Sequence, residues 1–328
     1  AKNFNALYPL IDKFPERVML CSDDLHPDDL IKGHINLLVK RAIKNQINLF
    51  NVWRAASYNP AQHYKLKTGL LRRNDPADFI VLEDKDPEKV ILTVINGEVV
   101  YDHGSSKVTD TKKVVINNFN TEKIQRKDLL IIDKNLPVRV INAFEGELIT
   151  KQQIAYPESK NGYLYADSKN DFLKICVLNR YKPEKPALGF IHGFNLKNGA
   201  IASSIAHDSH NIIAVGVKDE QIIDAVNWII DQKGGIAVHD GDEVTGIPLP
   251  IAGIISGNSA ESVAQNYLEL NQAVKKLGCE MNSPFMTLSF MSLLVIPELK
   301  ISNRGLFDVK NFSFTDLYEE YDRKNELQ

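Results

Sequence analysis

The sequence is poor in several things, and each scarcity closes off a class of protein. It has three cysteines in 328 residues, Cys21, Cys176 and Cys279, far apart in the chain. They offer no Cys-x-x-Cys pair and no framework of bridges, which predicts a reducing, cytoplasmic setting. No apolar run approaches the roughly 20 residues needed to span a bilayer. The start, AKNFNALYPLIDKF, lacks the layout of a secretory signal and carries no initiator Met, so the chain is expected to be the C-terminal part of something longer. Charge of one sign is missing as well: a net charge of -3 gives no electrostatic case for nucleic acid or an anionic membrane as partner. No period of 20–50 residues repeats, and no low-complexity tract interrupts the chain. Gly33, Gly193, Gly199 and Gly216 follow no Gly-x-Gly-x-x-Gly order, so no dinucleotide loop is expected. What remains, 44% apolar and 25% charged, is the balance of an ordinary globular protein.

Three textures are present. Over residues 1–64 the pattern is strand, loop, helix. RVMLCSDD (17–24) reads as a short buried strand ending in acids. Residues 28–47 place Ile31, Ile35, Leu38, Val39, Ala42 and Ile43 at helical spacing. Residues 48–64 give a second helix that Asn59-Pro60 should end. Such a unit belongs to an α/β architecture, where active groups sit at the C-terminal ends of strands. Residues 65–164 are β-rich and broken by turns, with Asn96-Gly97 as a hairpin signal. Residues 165–328 alternate strands and helices in an α+β pattern. Ile212 to Val217 reads as a buried strand. A helix over 219–235 is stopped by Gly234-Gly235, and one over 258–278 opens on a capping-box-like Asn258/Glu261 pair. The charged tail from residue 315 is expected on the surface.

Candidate chemistry falls at three places. In CSDDLHPDD (21–29), Asp28 and Asp29 suit the first turn of a helix. Asp23 and Asp24 directly follow the strand, and Asp23 is the candidate for a metal ligand and proton acceptor. In IAHDSHN (205–211), His207 and His210 stand at i and i+3 with Asp208 between them and Asn211 after, a spacing that can bring two imidazoles to one point. His192 and His239 could add to that point if their strands are neighbours. The same groups could equally satisfy backbone polar groups at strand ends. Third, Phe285, Met286, Phe290 and Met291 read as core, with a purine-stacking wall as the lesser reading.

GLLRRNDPADFIVLEDKDPEKVILTVINGEVVY resembles the stretch with which amidohydrolase-superfamily enzymes leave a metal-dependent barrel and complete a small β-sandwich. With SDDLHPDDLIKGHIN, GAIASSIAHDSHNIIAVG, IPLPIAGIISG and SPFMTLSFMSLLVIPELKIS, the match narrows to adenine deaminases of the amidohydrolase type and covers nearly the whole chain. The resemblance implies the last strand and helices of a (β/α)8 metal-dependent barrel in 1–64, part of a small β-sandwich in a β-rich middle region, 65–164, and the family's α+β C-terminal domain in 165–328. It implies hydrolysis of adenine to hypoxanthine and ammonia in the intact enzyme, a purine-salvage reaction, in a homo-oligomer.

The cofactor it implies is a binuclear divalent metal centre, manganese or iron and possibly zinc. Of the family's ligands only the aspartate after the last barrel strand carries over, onto Asp23, with Asp24 as fallback. The chain has eight histidines and no His-x-His, so the remaining ligands are expected in a missing N-terminal barrel portion, and this chain alone is expected to be inactive. His207, Asp208, His210, Asn211 and His239 are then an accessory site for substrate or metal at the barrel mouth. The His-x-Glu and Pro-Cys-x-x-Cys motifs of the other nucleobase deaminase chemistry are absent. Two alternatives stay open: another cyclic amidine or amide amidohydrolase, and a non-catalytic purine- or metal-binding oligomerisation module.

Overall fold

The structure is a computed structural model in which residues 3–109 and 114–319 are described. The chain divides into two compact units, residues 1–112 and 113–328.

The first unit is helical and then β. Phe4, Ile11, Val39, Ala42, Val52 and Ala55 form its helical core. The helix expected over 28–47 is broken in two, Pro27–Leu30 and Ile35–Lys44. The reason is Gly33, whose φ of +146° is open to glycine but strained for other residues. The second helix does not end at Asn59-Pro60. It runs on through Asn59–His63 because Arg54–Tyr58 widens into a π turn. Proline has no N–H to give the carbonyl four residues back, and the widened turn accommodates that loss.

The buried strand expected over 17–24 is a correction too. Residues 18–26 form neither helix nor strand, and Val18, Met19 and Leu20 are only half-buried. A strand exists by its ladder of inter-strand bonds. Here Leu20 N–H reaches only the carbonyl of Ala55, at 2.8 Å.

The β part of this unit is a four-stranded antiparallel sheet: Phe79–Leu82, Val90–Ile95, Glu98–Asp102 and Ser105–Ser106 in order. Asn96 and Gly97 turn its central hairpin with φ of +51° and +81°, the positive pair that a type I′ turn requires. Asp78 ties the turn down. Its carboxylate accepts from Asn96 N–H at 2.6 Å, Gly69 N–H at 2.8 Å and the Thr68 hydroxyl at 3.0 Å. These bonds hold its pKa below the usual aspartate range, the Asn96 bond foremost.

The second unit is built on one eight-stranded sheet. In chain order the strands are β1 (Val138–Asn142), β2 (Lys151–Ala155), β3 (Leu173–Leu178), β4 (Ala187–His192), β5 (Ala200–Ser203), β6 (Ile212–Gly216), β7 (Gly235–His239) and β8 (Val244–Pro248). Their spatial order is β8-β7-β5-β6-β3-β4-β1-β2. Only β1 and β4 pair in parallel. The texture boundary drawn at 164/165 therefore falls inside one structural unit: β1 and β2 belong to the same sheet as β3–β8. Strands that look alike in sequence are joined here by a long-range ladder that local pattern does not carry.

The central strands are apolar on both faces because both are covered. Cys176, Leu178, Ala200, Ala202, Ile212 and Ala214 pack against Ile222, Ala225, Val226 and Ile229 of α1 (Asp219–Gln232). Ile175, Val177, Ile191, Ile201, Ile213 and Val215 face α2 (Ala260–Lys276) and α3 (Pro284–Ser289) through Tyr267, Leu270, Phe285 and Leu288. Phe285 and Met291 are core, as expected. The cap of α2 is one residue later than expected: the Ser259 hydroxyl, not Asn258, accepts from Ser262 N–H. The described part of the tail lies along β1, where Arg139 N–H donates to Leu317 O and Glu319 N–H to Pro137 O. Residues 320–328 lie outside the described residues.

Candidate functional site

Strand register decides which candidates meet. On β5, Ala200 pairs with Gly216 and with His239, and Ser203 pairs with Ile213 and with Ile236. The chain leaves β5 at the Ser203 end to form the 204–211 loop. His239 is therefore three residues away along the strands, roughly 10 Å. On β3, Lys174 pairs with Gly216 and Leu173 with Ile191, so His192 also lies at the Ala200 end. The structure does not bring His192 or His239 to the His207–His210 loop.

Each has local work instead. The His239 Nδ1 accepts from Gly241 N–H at 3.0 Å, and its Nε2 faces Asp224 at 3.4 Å. The His192 Nδ1 lies 3.2 Å from Asn142 Oδ1. Beside His192, Asp171 is buried and accepts from Gly193 and Asn195 N–H at 2.5 and 2.6 Å. Burial pushes its carboxyl above the usual range.

At the other end, His207 and His210 do come together, with ring centroids 5.7 Å apart. His207 lies on the ring of Phe290 at 4.7 Å and 16°, a parallel stack, and its N–H donates to Ser289 O at 3.0 Å. The loop has a second anchor on β3's extension. The Tyr181 hydroxyl donates to Ser209 O at 2.8 Å, and the buried Arg180 donates to that hydroxyl and to Ala252 O.

Asn211 is buried and fully occupied within the fold. Its carbonyl accepts from Arg180 N–H, and its amide donates to Ser209 and Asn303. It is a brace for the loop, whereas Asp208, 83% exposed, points to solvent. Sequence reasoning missed Arg180, Tyr181 and Asn303, which stand in no motif and reach the loop only through the sheet. Of the four apolar residues around 285–291, Phe290 stacks on His207, so one of its faces is taken by an imidazole.

In the first unit, Asp23 and Asp24 are exposed on the 18–26 segment, with Asp24 N–H donating to Asp23 Oδ1 at 3.0 Å. Ser22 and His34 meet beside them at 2.5 Å. Among the described residues no three of His, Cys, Asp and Glu converge as metal ligands. A binuclear centre draws on several converging protein ligands, so the described residues do not by themselves fit the implied metals.

Comparison with known families decides the relationship. The model of the adenine deaminase C-terminal domain matches residues 147–313. The chain belongs to the adenine deaminase C-terminal domain family. The amidohydrolase family model matches residues 1–100. Among curated proteins the chain is 46% identical to an adenine deaminase of Methanosarcina mazei, over 97% of this chain and 60% of that protein. It is 46% identical to one of Parabacteroides distasonis, over 97% and 58%, and 44% identical to one of Borreliella burgdorferi, over 96% and 59%. It thus spans about three fifths of the length of these relatives. The C-terminal family match begins within β-rich sequence ahead of β2 and covers the His207–His210 loop, Phe290 and Lys300. No described helix is long and apolar enough to cross a membrane.

Proposed function

We propose that this chain is the C-terminal portion of a cytoplasmic adenine deaminase, which hydrolyses adenine to hypoxanthine and ammonia in purine salvage. The observation that carries the reading is the identity of 44–46% to adenine deaminases over nearly the whole chain. In the intact, homo-oligomeric protein, residues 1–64 supply the last strand and helices of a (β/α)8 barrel. Residues 79–106 contribute to a β-sandwich. Membership of the amidohydrolase superfamily implies a divalent metal. A binuclear manganese or iron centre, with zinc as third choice, takes its other ligands from outside this chain.

Asp23, with Asp24 beside it, is the chain's contribution to the chemistry. A carboxylate there takes a proton from the attacking water and returns it to the departing amine, because ammonia leaves far more readily than an amide anion. His207 and His210 form an accessory contact for the purine. Their paired rings, with His207 stacked on Phe290, support that role over a merely structural one. His239, level with the opposite end of β5, and Asn211, whose polar atoms are occupied, are not part of it.

The test is adenine turnover by the full-length protein loaded with manganese, followed by ammonia release. His207→Ala and His210→Ala should each lower turnover at least tenfold with the melting temperature unchanged. A lower melting temperature with turnover per folded molecule intact would make the loop structural.

A further inference from the structure

Two lysines of the second unit are fully buried, and they are treated differently. Lys174 is paired with a carboxylate, Asp219, at 2.6 Å. Lys300, on the strand Leu299–Ser302, has no described carboxylate partner. Its ammonium donates to two backbone carbonyls, Leu148 O at 2.7 Å and Phe290 O at 3.1 Å. A charge in a dry interior is costly, and an apolar side chain of similar volume would fill the space without that cost. What the lysine gives in exchange is a fixed carbonyl at Phe290.

Phe290 closes α3 and opens a short 3-10 turn, Phe290–Ser292. The Phe290 carbonyl accepts from Leu293 N–H within that turn at 3.2 Å, and the Lys300 ammonium adds a second, charged donor at a helix end, where partial negative charge collects. The same turn meets His207 twice, through Ser289 O and through the Phe290 ring.

We propose that Lys300 is a positioning residue of the His207–His210 loop: by tying down the Phe290 carbonyl it sets the ring on which His207 lies. The inference rests on the loop's role in the proposed function and extends it to a residue that need not touch the substrate. Burial alone lowers the Lys300 pKa to about 8, as expected of an ammonium bound only by neutral groups.

The experiment uses the 328-residue chain with isotope-labelled histidine and follows the imidazole resonances by NMR. His192 and His239, at the far end of the sheet, serve as internal controls. Phe290→Leu defines the ring-current displacement that the stack gives His207. Lys300→Met should lose most of that displacement, moving His207 toward its position in Phe290→Leu while His192 and His239 stay in place. Lys300→Gln keeps an N–H donor and should lose less.

A His207 resonance unmoved in folded Lys300→Met would overturn the proposal. So would comparable movement of all the histidines, or unfolding of both variants, since the lysine would then hold the unit as a whole. The two readings fail separately. If His207 follows Lys300 while His207→Ala leaves adenine turnover in the full-length protein intact, the positioning stands and the loop's role in the reaction falls.

Discussion

Replacing Lys174 by methionine should destabilise the second unit by about 3–5 kcal/mol, the usual cost of removing one partner of a buried ion pair. The structure shows where the cost arises. Lys174 Nζ lies 2.6 Å from Asp219 Oδ1 and 2.9 Å from Leu129 O, and the two side chains are 1% and 6% exposed. Methionine fills much of the same volume, so little of the loss is packing. It leaves a buried carboxylate without its cation, and the other oxygen of that carboxylate already lacks a described partner. It also strips the Leu129 carbonyl of a donor. In a unit of this size each kcal/mol moves the melting temperature by roughly 2–4 °C, so a fall on the order of 10 °C is expected.

Lys174→Met with Asp219→Leu removes both charges. It should recover all but about 1–2 kcal/mol, since an apolar pair often replaces a buried ion pair at little cost. Part of the remainder is the loss of an acid at the first turn of α1. The assay is urea unfolding followed by Trp228 fluorescence in a Trp53→Phe background, which reports the second unit alone. A single variant within 1 kcal/mol of wild type, or a double variant as unstable as the single, would refute the reasoning.

In the full-length protein, on the proposed function, Asp23→Asn should lower adenine turnover by roughly 10²–10⁴, and Asp24→Asn by much less; the reverse order, read by ammonia release, would move the proposed proton acceptor to Asp24. Lys300 has its folded pKa near 8, below the ordinary 10.5. Between those values the unfolded chain holds more protons, so this residue's contribution to stability rises with pH across that window, by at most about 3 kcal/mol. Lys300→Met should remove that rise in denaturation curves taken at pH 7.5 and 10. Asp78 has a lowered pKa, so its contribution is present above the unfolded value of 3.8 and is lost as pH falls through the folded one. Asp78→Ala should abolish this acid loss and speed amide exchange at Gly69 and Asn96.

Some of the protein was legible in the chain because the interactions concerned are local. Asn96-Gly97 turns a hairpin since both residues accept positive φ, whatever surrounds them. Ile212–Gly216 is buried along its whole length, as a run of apolar residues requires when both sheet faces are covered. The neighbourhood of His207 and His210 was legible for the same reason, a spacing of three across a tight turn.

What the tertiary structure decided is everything that depends on a distant partner. Residues 17–24 read as a short strand, yet they form none where no ladder is offered. Pro60 would end an isolated helix, yet a π turn carries this one past it. His239 resembles His207 in sequence context, but antiparallel pairing of β5 and β7 places it level with Ala200, away from the loop that follows Ser203. Arg180 and Tyr181 stand in no motif, and Lys300 lies in SPFMTLSFMSLLVIPELKIS with nothing local to mark its ammonium as a support of the loop. They act on the loop because the fold brings a strand end and a buried ammonium to its carbonyl and ring supports, and hydrogen bonds across such separations leave no period in the sequence.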